Sequence, residues 1–360
     1  MKKQAKLALE DRTILKGEGF GYETTKVGEV VFSTSMGGYT ESLTDPSAKG
    51  AILMSTYPVE GNYGVCEDWY QSDKIQVEGF VVREVCKHVS NFSYQKTLDD
   101  FLTEFKVPGI SGIDTRDLTL KIREYGTLKG AISTEEIDDD ELIALARDQS
   151  DDVGSELVKL VSTKEIQQFS EDFDKKVAIL DCGVKKSVIQ EFLQRDIGVV
   201  VFPYDTDYKT ILDYDPKGLL VSPGPGNPDN IVESITTIQK LANRLPVFGI
   251  CSGQQLIAKS FGAKSFKMKF GHRGGNQPVR DLETGKVYIT SQSHGFTIDK
   301  ESLKGTGLEL TQINLNDGTP EGIGHEELPI LGVQYRPEAT PGPNDTKFVF
   351  DDFSKMMDDY

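Results

Sequence analysis

The run Phe248-Gly249-Ile250-Cys251-Ser252-Gly253-Gln254-Gln255-Leu256 carries a single thiol between small residues. An apolar stretch leads in and a helical pattern leads out, so Cys251 falls at a tight strand-to-helix turn, the form of a nucleophile elbow. A helix N-terminus favours thiolate, and its backbone N–H groups can hold an oxyanion. Taken alone, a buried cysteine at a strand end explains the run equally well. A second piece, Ser222-Pro223-Gly224-Pro225-Gly226-Asn227-Pro228, also follows an apolar strand. Glycines between prolines make a rigid loop that a ligand can approach closely, because no Cβ stands in the way. An ordinary turn has the same composition, but two such pieces at the ends of two strands favour a ligand site.

Other reactive side chains give less. His88, His272, His294 and His325 are scattered, and none stands three to five residues from another His or Cys, so no metal site is expected. Cys66, Cys86, Cys182 and Cys251 show no C-x-x-C pairing and are too few for a disulfide framework. They read as reduced thiols of a cytoplasmic protein. The apolar stretch within Met1 to Glu10 is too short for the hydrophobic region of a signal peptide.

The elements that must position Cys251 and the glycine loop lie in the second half. Apolar strands are expected at Val177 to Leu180, Val199 to Phe202, Gly218 to Val221 and Pro246 to Ile250, with helical patterns between them. Strands buried on both faces and alternating with helices indicate a doubly wound parallel sheet, whose ligands bind beyond the carboxyl ends of the strands. Residues 1–132 instead carry short β-rich runs, such as Glu29 to Phe32 and Gly79 to Val82, punctuated by glycine turns. A helix is expected after Asp114, with Leu118, Ile122 and Tyr125 on one face and Gly126 as its stop. Residues 133–175, dense in acid at Glu135 to Glu141, read as a connector with helical pieces whose charges face solvent.

Composition narrows the function class. The chain has 360 residues, enough for two domains, and 37% hydrophobic with 27% charged residues marks it as globular. Its net charge of −17, from 40 Lys and Arg against 57 Asp and Glu, disfavours nucleic acid as a partner. No apolar run is long enough to span a membrane.

The motifs also occur in a familiar order. The Cys251 elbow, the Gly224-Pro225-Gly226 loop, Lys267 to Asn276, Ser291-Gln292-Ser293-His294-Gly295-Phe296 and Pro337 to Pro343 resemble the class I, or triad, glutamine amidotransferases. Lys267-Met268-Lys269-Phe270-Gly271-His272 and Pro337-Glu338-Ala339-Thr340-Pro341-Gly342-Pro343 are more specific, and resemble carbamoyl-phosphate synthetase small subunits. The first half agrees independently: Gly28 to Tyr39, Leu43 to Ser47, Gly61-Asn62, Ser90-Asn91-Phe92 and Ile113 to Arg116 resemble the domain that only those subunits carry. The resemblance covers nearly the whole chain.

It implies three segments: a small-subunit N-terminal domain over 1–132, the acidic connector over 133–175, and over 176–360 a class I amidotransferase domain with a doubly wound, mostly parallel, flavodoxin-like sheet. It implies Cys251 as the nucleophile on the glutamine amide. Glutamine contacts fall on Ser47, Gly224, Gly226, Ser252, Gln255, Ser293, Gly295 and Phe296, with Gly224 and Ser252 supplying the oxyanion N–H groups. It implies no cofactor or metal in this chain, a large-subunit partner that binds ATP and Mg, and ammonia delivered to that partner for carbamoyl phosphate, a precursor of arginine and pyrimidines.

One position departs. Glu338 matches the glutamate that orients the family's catalytic histidine, but the histidine position is Arg336. A guanidinium stays protonated and can neither take the thiol's proton nor return one to ammonia. Gln254 and Gln277 also stand where relatives often carry histidine. His294 and His272 occupy positions where the family has histidines already, so neither is an obvious substitute. Two functions therefore compete: an ammonia-supplying glutaminase subunit, favoured by Cys251 and Glu338, and a non-hydrolysing binding subunit of an ammonia-dependent synthetase, favoured by Arg336. Another thiol hydrolase on the same fold conflicts with the first half.

Overall fold

The computed structural model describes residues 3–150, 154–170 and 172–360, in two compact units, Met1–Asp151 and Asp152–Tyr360. In the first, seven strands close into a barrel in the order Gln4–Leu9, Ile14–Gly21, Pro108–Ser111, Gly79–Val81, Ala51–Ser55, Thr25–Ser33 and Leu128–Ser133. Val31, Leu53 and Phe80 stand opposite one another on three neighbouring strands and share a core with Phe101 and Leu102 of the helix Leu98–Glu104. Closure leaves these strands no open edge.

The helix expected after Asp114 is Thr115–Tyr125. Asp114 Oδ1 accepts from the Asp117 N–H at 3.0 Å, and Gly126 ends the helix at φ 101°. Leu118 and Ile122 are buried with Thr115, whereas Tyr125, expected on the same face, is exposed at the final helical position.

Residues 133–175 are divided between the units. Helix Asp139–Arg147 lays Leu142, Ile143 and Ala146 on Ala8 and Ala131 of the barrel. The acids at its start do more than face solvent. Asp138 accepts from the Asp140 N–H at 2.9 Å, and Asp139 pairs with Lys6 at 2.6 Å and Lys16 at 3.0 Å. Helix Gly154–Val161 and strand Gln167–Phe169 belong to the second unit.

That unit is built on a ten-stranded sheet, in the order Gln167–Phe169, Gly198–Pro203, Lys176–Asp181, Gly218–Val221, Val247–Ile250, Ile330–Val333, Pro320–His325, Leu308–Asn314, Ser265–Asp281 and Val287–Ile298. The five strands from Gly198–Pro203 to Ile330–Val333 are parallel. Numbered along the chain, they lie in the order 2-1-3-4-5, the flavodoxin-like winding. The antiparallel strands extend this centre on both sides.

Alternation along the parallel strands explains the layering. Val177, Ile179, Val199, Val201 and Leu220 point to one face, where helices Lys186–Leu193 and Phe348–Asp359 bring Phe192, Phe350 and Phe353. Ala178, Leu180, Val200, Phe202 and Leu219 point to the other, where Val232–Leu241 and Ser252–Ser260 bring Ile238, Leu241, Leu256 and Ile257. The four cysteines are free thiols, and among the described residues no helix is long and apolar enough to cross a membrane.

Candidate active site

Four loops leave the carboxyl ends of neighbouring parallel strands, and each carries a residue of interest. Cys251 follows Val247–Ile250 and sits at φ 57°, ψ −113°, a region that side-chain-bearing residues seldom occupy. Its N–H donates to the Val333 carbonyl at 2.8 Å, so the turn is pinned to the next strand. Helix Ser252–Ser260 starts at once, placing its first-turn N–H groups beside the thiol.

The glycines around Cys251 are there for space. A Cβ on Gly253 would stand 2.0 Å from the Val221 carbonyl oxygen, and one on Gly249 would stand 2.5 Å from Ile257 Cδ1. Helix and strands meet too closely for any side chain. In the loop after Gly218–Val221, a Cβ on Gly224 would meet the Cys182 carbonyl oxygen at 2.3 Å. Ser222 locks that loop, its Oγ accepting from the Cys182 N–H at 2.9 Å. Gly226 adopts φ 83°.

Strand Val287–Ile298 faces the elbow. Cys251 Sγ is 3.8 Å from the Ser293 carbonyl oxygen, and Gln255 Nε2 donates to the Phe296 carbonyl at 2.7 Å and to Gln334 Oε1 at 2.9 Å. The Arg336 N–H donates to the Ser291 carbonyl at 2.8 Å. Ser291 and Ser293 are two residues apart on one strand, about 7 Å. That strand therefore brings Cys251 to Ser293, Gln255 to Phe296 and the Arg336 backbone to Ser291. Ser252 is buried directly behind the thiol in sequence. Ser47 belongs to the first unit, where its Oγ donates to Asp45 Oδ1 at 2.8 Å.

Glu338 is fully buried, with Oε1 at 3.0 Å from Lys185 Nζ and 3.8 Å from Arg336 Nη1. Lys185 and Arg336 are buried as well, so two cations flank one carboxylate. Lys185 escaped the sequence analysis. Its one signal was its place in the loop after Lys176–Asp181, at the carboxyl end of a parallel strand.

The ring nitrogens of His294 and His272 face groups other than Cys251. His294 Nδ1 lies 2.9 Å from the Phe296 carbonyl oxygen and its Nε2 lies 2.9 Å from Gln292 Oε1. Burial, with the charges of His272, Arg273 and Arg336, holds it well below the usual imidazole range. His272 goes the other way. Burial pulls it down, but the hydrogen bond to Asp317 and the nearby Glu321 carboxylate more than offset this and carry it up to about 9.

Both units match known families. Residues 178–356 match the family "Glutamine amidotransferase class-I", and residues 7–132 match "Carbamoyl-phosphate synthase small chain, CPSase domain". The carbamoyl phosphate synthase small chain of Methanocaldococcus jannaschii is 52% identical over 360 residues, covering 99% of both chains. The chain belongs to the carbamoyl phosphate synthase small chain family. The Archaeoglobus fulgidus member is 49% identical over 357 residues, again 99% of both chains, and the Methanopyrus kandleri member is 47% identical over 357 residues, 98% of this chain and 99% of its own. In family terms the barrel carries the CPSase domain and the doubly wound unit is the glutamine amidotransferase domain.

Proposed function

We propose that this chain is the glutamine-hydrolysing chain of a carbamoyl phosphate synthase, working through Cys251 and limited in rate by Arg336. The turn at Cys251 carries the proposal. A thiol held at φ 57° between a parallel strand and a helix N-terminus is placed for nucleophilic attack.

In the proposed reaction the Cys251 thiolate attacks the glutamine side-chain carbonyl carbon, and the N–H groups of Gly224 and Ser252 take the developing oxyanion. The C–N bond breaks as the nitrogen takes a proton from solvent water and leaves as ammonia, and water then hydrolyses the glutamyl thioester to glutamate and free thiol. Gly226, Gln255, Ser293, Gly295 and Phe296 hold the substrate. Ammonia passes to a large-chain partner, which binds ATP and Mg and forms carbamoyl phosphate for arginine and pyrimidine synthesis. The assembly is a cytoplasmic heterodimer.

Arg336 sets the rate. Its charge favours the thiolate, but it cannot move a proton, and losing a general acid–base catalyst typically costs about 10²–10⁴-fold. The same residue supports a second role, a binding subunit that docks on an ammonia-dependent synthetase without hydrolysing glutamine. Carbamoyl phosphate formation by the purified two-chain complex, driven by glutamine or by ammonium, separates the two. Glutamine-driven synthesis lost on Cys251→Ser supports the hydrolytic role; ammonium-driven synthesis alone supports the binding role. A chain that never co-purifies with a large partner contradicts both.

A further inference from the structure

Two histidines far apart by sequence spacing meet across a pair of strands. Where Ser265–Asp281 pairs with Val287–Ile298, His272 is the register partner of His294, and their rings pack edge to face with centroids 5.2 Å apart. Glu321, from strand Pro320–His325, joins them, and the ligand atoms of all three lie within 4.8 Å of one another. All three side chains are buried.

The outer hydrogen bonds decide which ring nitrogens face inward. His272 Nε2 is 2.9 Å from Asp317 Oδ2, and His294 Nδ1 is 2.9 Å from the Phe296 carbonyl oxygen. Both partners only accept, so each ring keeps a proton on the outer nitrogen, and a metal ion would displace any second proton from the inner nitrogen of His272. The inward lone pairs, on His272 Nδ1 and His294 Nε2, then face the same atom, Gln292 Oε1, at 3.1 and 2.9 Å. Gln292 Nε2 donates to Thr290 Oγ1 at 3.1 Å, and Thr290 donates onward to the Gln277 carbonyl at 2.9 Å, which turns the amide oxygen inward.

Glu321 adds more acceptors. Its Oε1 is 3.6 Å from His272 Nδ1, and its buried Oε2 has no hydrogen-bond partner among the described residues. Asn314 Nδ2 donates to Glu321 Oε1 at 2.8 Å and makes a long hydrogen bond of 3.4 Å to His272 Nδ1, which a metal ion at that nitrogen would displace. Acceptors thus converge from four side chains, with Asn314 Nδ2 as the one side-chain amide donor shown among them, an arrangement that suits a cation.

We propose that His272 Nδ1, His294 Nε2, a Glu321 carboxylate oxygen and Gln292 Oε1 form a structural site for a divalent transition-metal ion, zinc by the chemistry of its donors. Imidazole and carboxylate suit zinc, and bonds of about 2.0–2.1 Å at tetrahedral angles place ligand atoms about 3.3 Å apart. Three of the six ligand-atom spacings, 2.9, 3.1 and 3.6 Å, bracket that value, and those among His272, His294 and Glu321 all lie within 4.8 Å. Asp317 and the Phe296 carbonyl hold the outer N–H groups, as partners of zinc-bound histidines do. Four protein ligands leave no open position, so the ion would brace the strand that carries Ser293, Gly295 and Phe296 rather than take part in chemistry. In the metal-free protein a proton on His272 takes the ion's place, and metal binding releases it.

The test uses the full-length chain, stripped with a chelator and titrated with Zn²⁺ alone or Co²⁺ alone. One ion binds per chain, and Co²⁺ gives the visible absorption of a tetrahedral site. Glu321→Gln and His272→Gln weaken zinc binding by about 100-fold or more, Asp317→Asn by roughly 10–100-fold, and Cys251→Ser leaves it unchanged. Wild type that takes up no zinc at micromolar concentrations overturns the proposal and means that Gln292 is turned over, with its NH2 group bridging both rings. Binding that survives Glu321→Gln and His272→Gln overturns it as well, because zinc then sits elsewhere.

Discussion

Lys185 and Glu338, 153 positions apart in sequence, form an ion pair at 3.0 Å with both side chains out of water. Lys185 Nζ also donates to the carbonyls of Ala339 at 2.9 Å and Thr340 at 2.7 Å, so all its protons are used in fastening the loop that carries Glu338. Removing one partner of a buried pair costs about 3–5 kcal/mol, since the other charge is left behind. Lys185→Met is expected to lower the unfolding free energy, read from urea unfolding, by an amount of that order, softened by the nearby Arg336 charge. The double substitution Lys185→Met with Glu338→Gln should recover part of the loss. A single variant as stable as wild type would show that the pair does not hold the loop.

Thiol reactivity distinguishes the four cysteines. Cys182 is buried against Ser234, and burial pushes its thiol up to about 12, which leaves almost no thiolate at neutral pH. Cys251, although also buried, stands at a helix N-terminus. Brief iodoacetamide treatment followed by peptide mapping is expected to label Cys251 first, with protection by glutamine. Equal labelling of Cys66, Cys86 and Cys251, indifferent to glutamine, would contradict the nucleophile assignment.

The elbow also makes a steric prediction. A Cβ at position 253 would meet backbone oxygen at 2.0 Å, an atom that cannot rotate away. Gly253→Ala is expected to destabilise the unit by about 1–3 kcal/mol, as overpacking does, and to abolish glutamine protection of Cys251. Thermal unfolding together with the labelling assay reads both effects; an unchanged melting temperature would mean that the helix can slide off the strand.

The cluster around His272 predicts a pH dependence. Its folded value of about 9 lies above the usual 6.5, so its contribution to stability in metal-free protein is full below about 6.5 and is lost as pH rises through 9. Asp317, burial notwithstanding, is held down to about 2 by its hydrogen bonds to His272 and Thr319, so its contribution fades only as pH falls through that value. Urea unfolding of wild type minus His272→Gln should show the difference shrinking between pH 6.5 and 9. A constant difference would contradict the protonated pair.

What the sequence made legible follows from how local each signal is. Val177 to Leu180 and Val199 to Phe202 could be read as strands because both of their faces are buried and the apolar run is continuous. The Cys251 elbow could be read because its two glycines lie within two residues of the thiol. Barrel closure could not, since Gln4–Leu9 pairs with Leu128–Ser133 across the whole first unit. Lys185 was invisible for the same reason, its partner lying beyond most of the second unit. The spacing rule set His272 and His294 apart because strand register, not helical or loop spacing, brings their rings together. Asp138 and Asp139 looked like part of a solvated acidic run, and only the barrel's Lys6 and Lys16 show what Asp139 pairs with.

The central claim is that the Cys251 site keeps everything for glutamine hydrolysis except a group that can move a proton near neutral pH. Its most direct test is the glutamine-dependent rate of the two-chain complex for wild type and Arg336→His, with the ammonium-dependent rate as the internal standard. Histidine at that position would place an imidazole next to Glu338, and the glutamine-dependent rate is expected to rise by about 10²–10⁴-fold while the ammonium-dependent rate hardly moves. Wild type that already hydrolyses glutamine rapidly, with no gain on Arg336→His, would contradict the account.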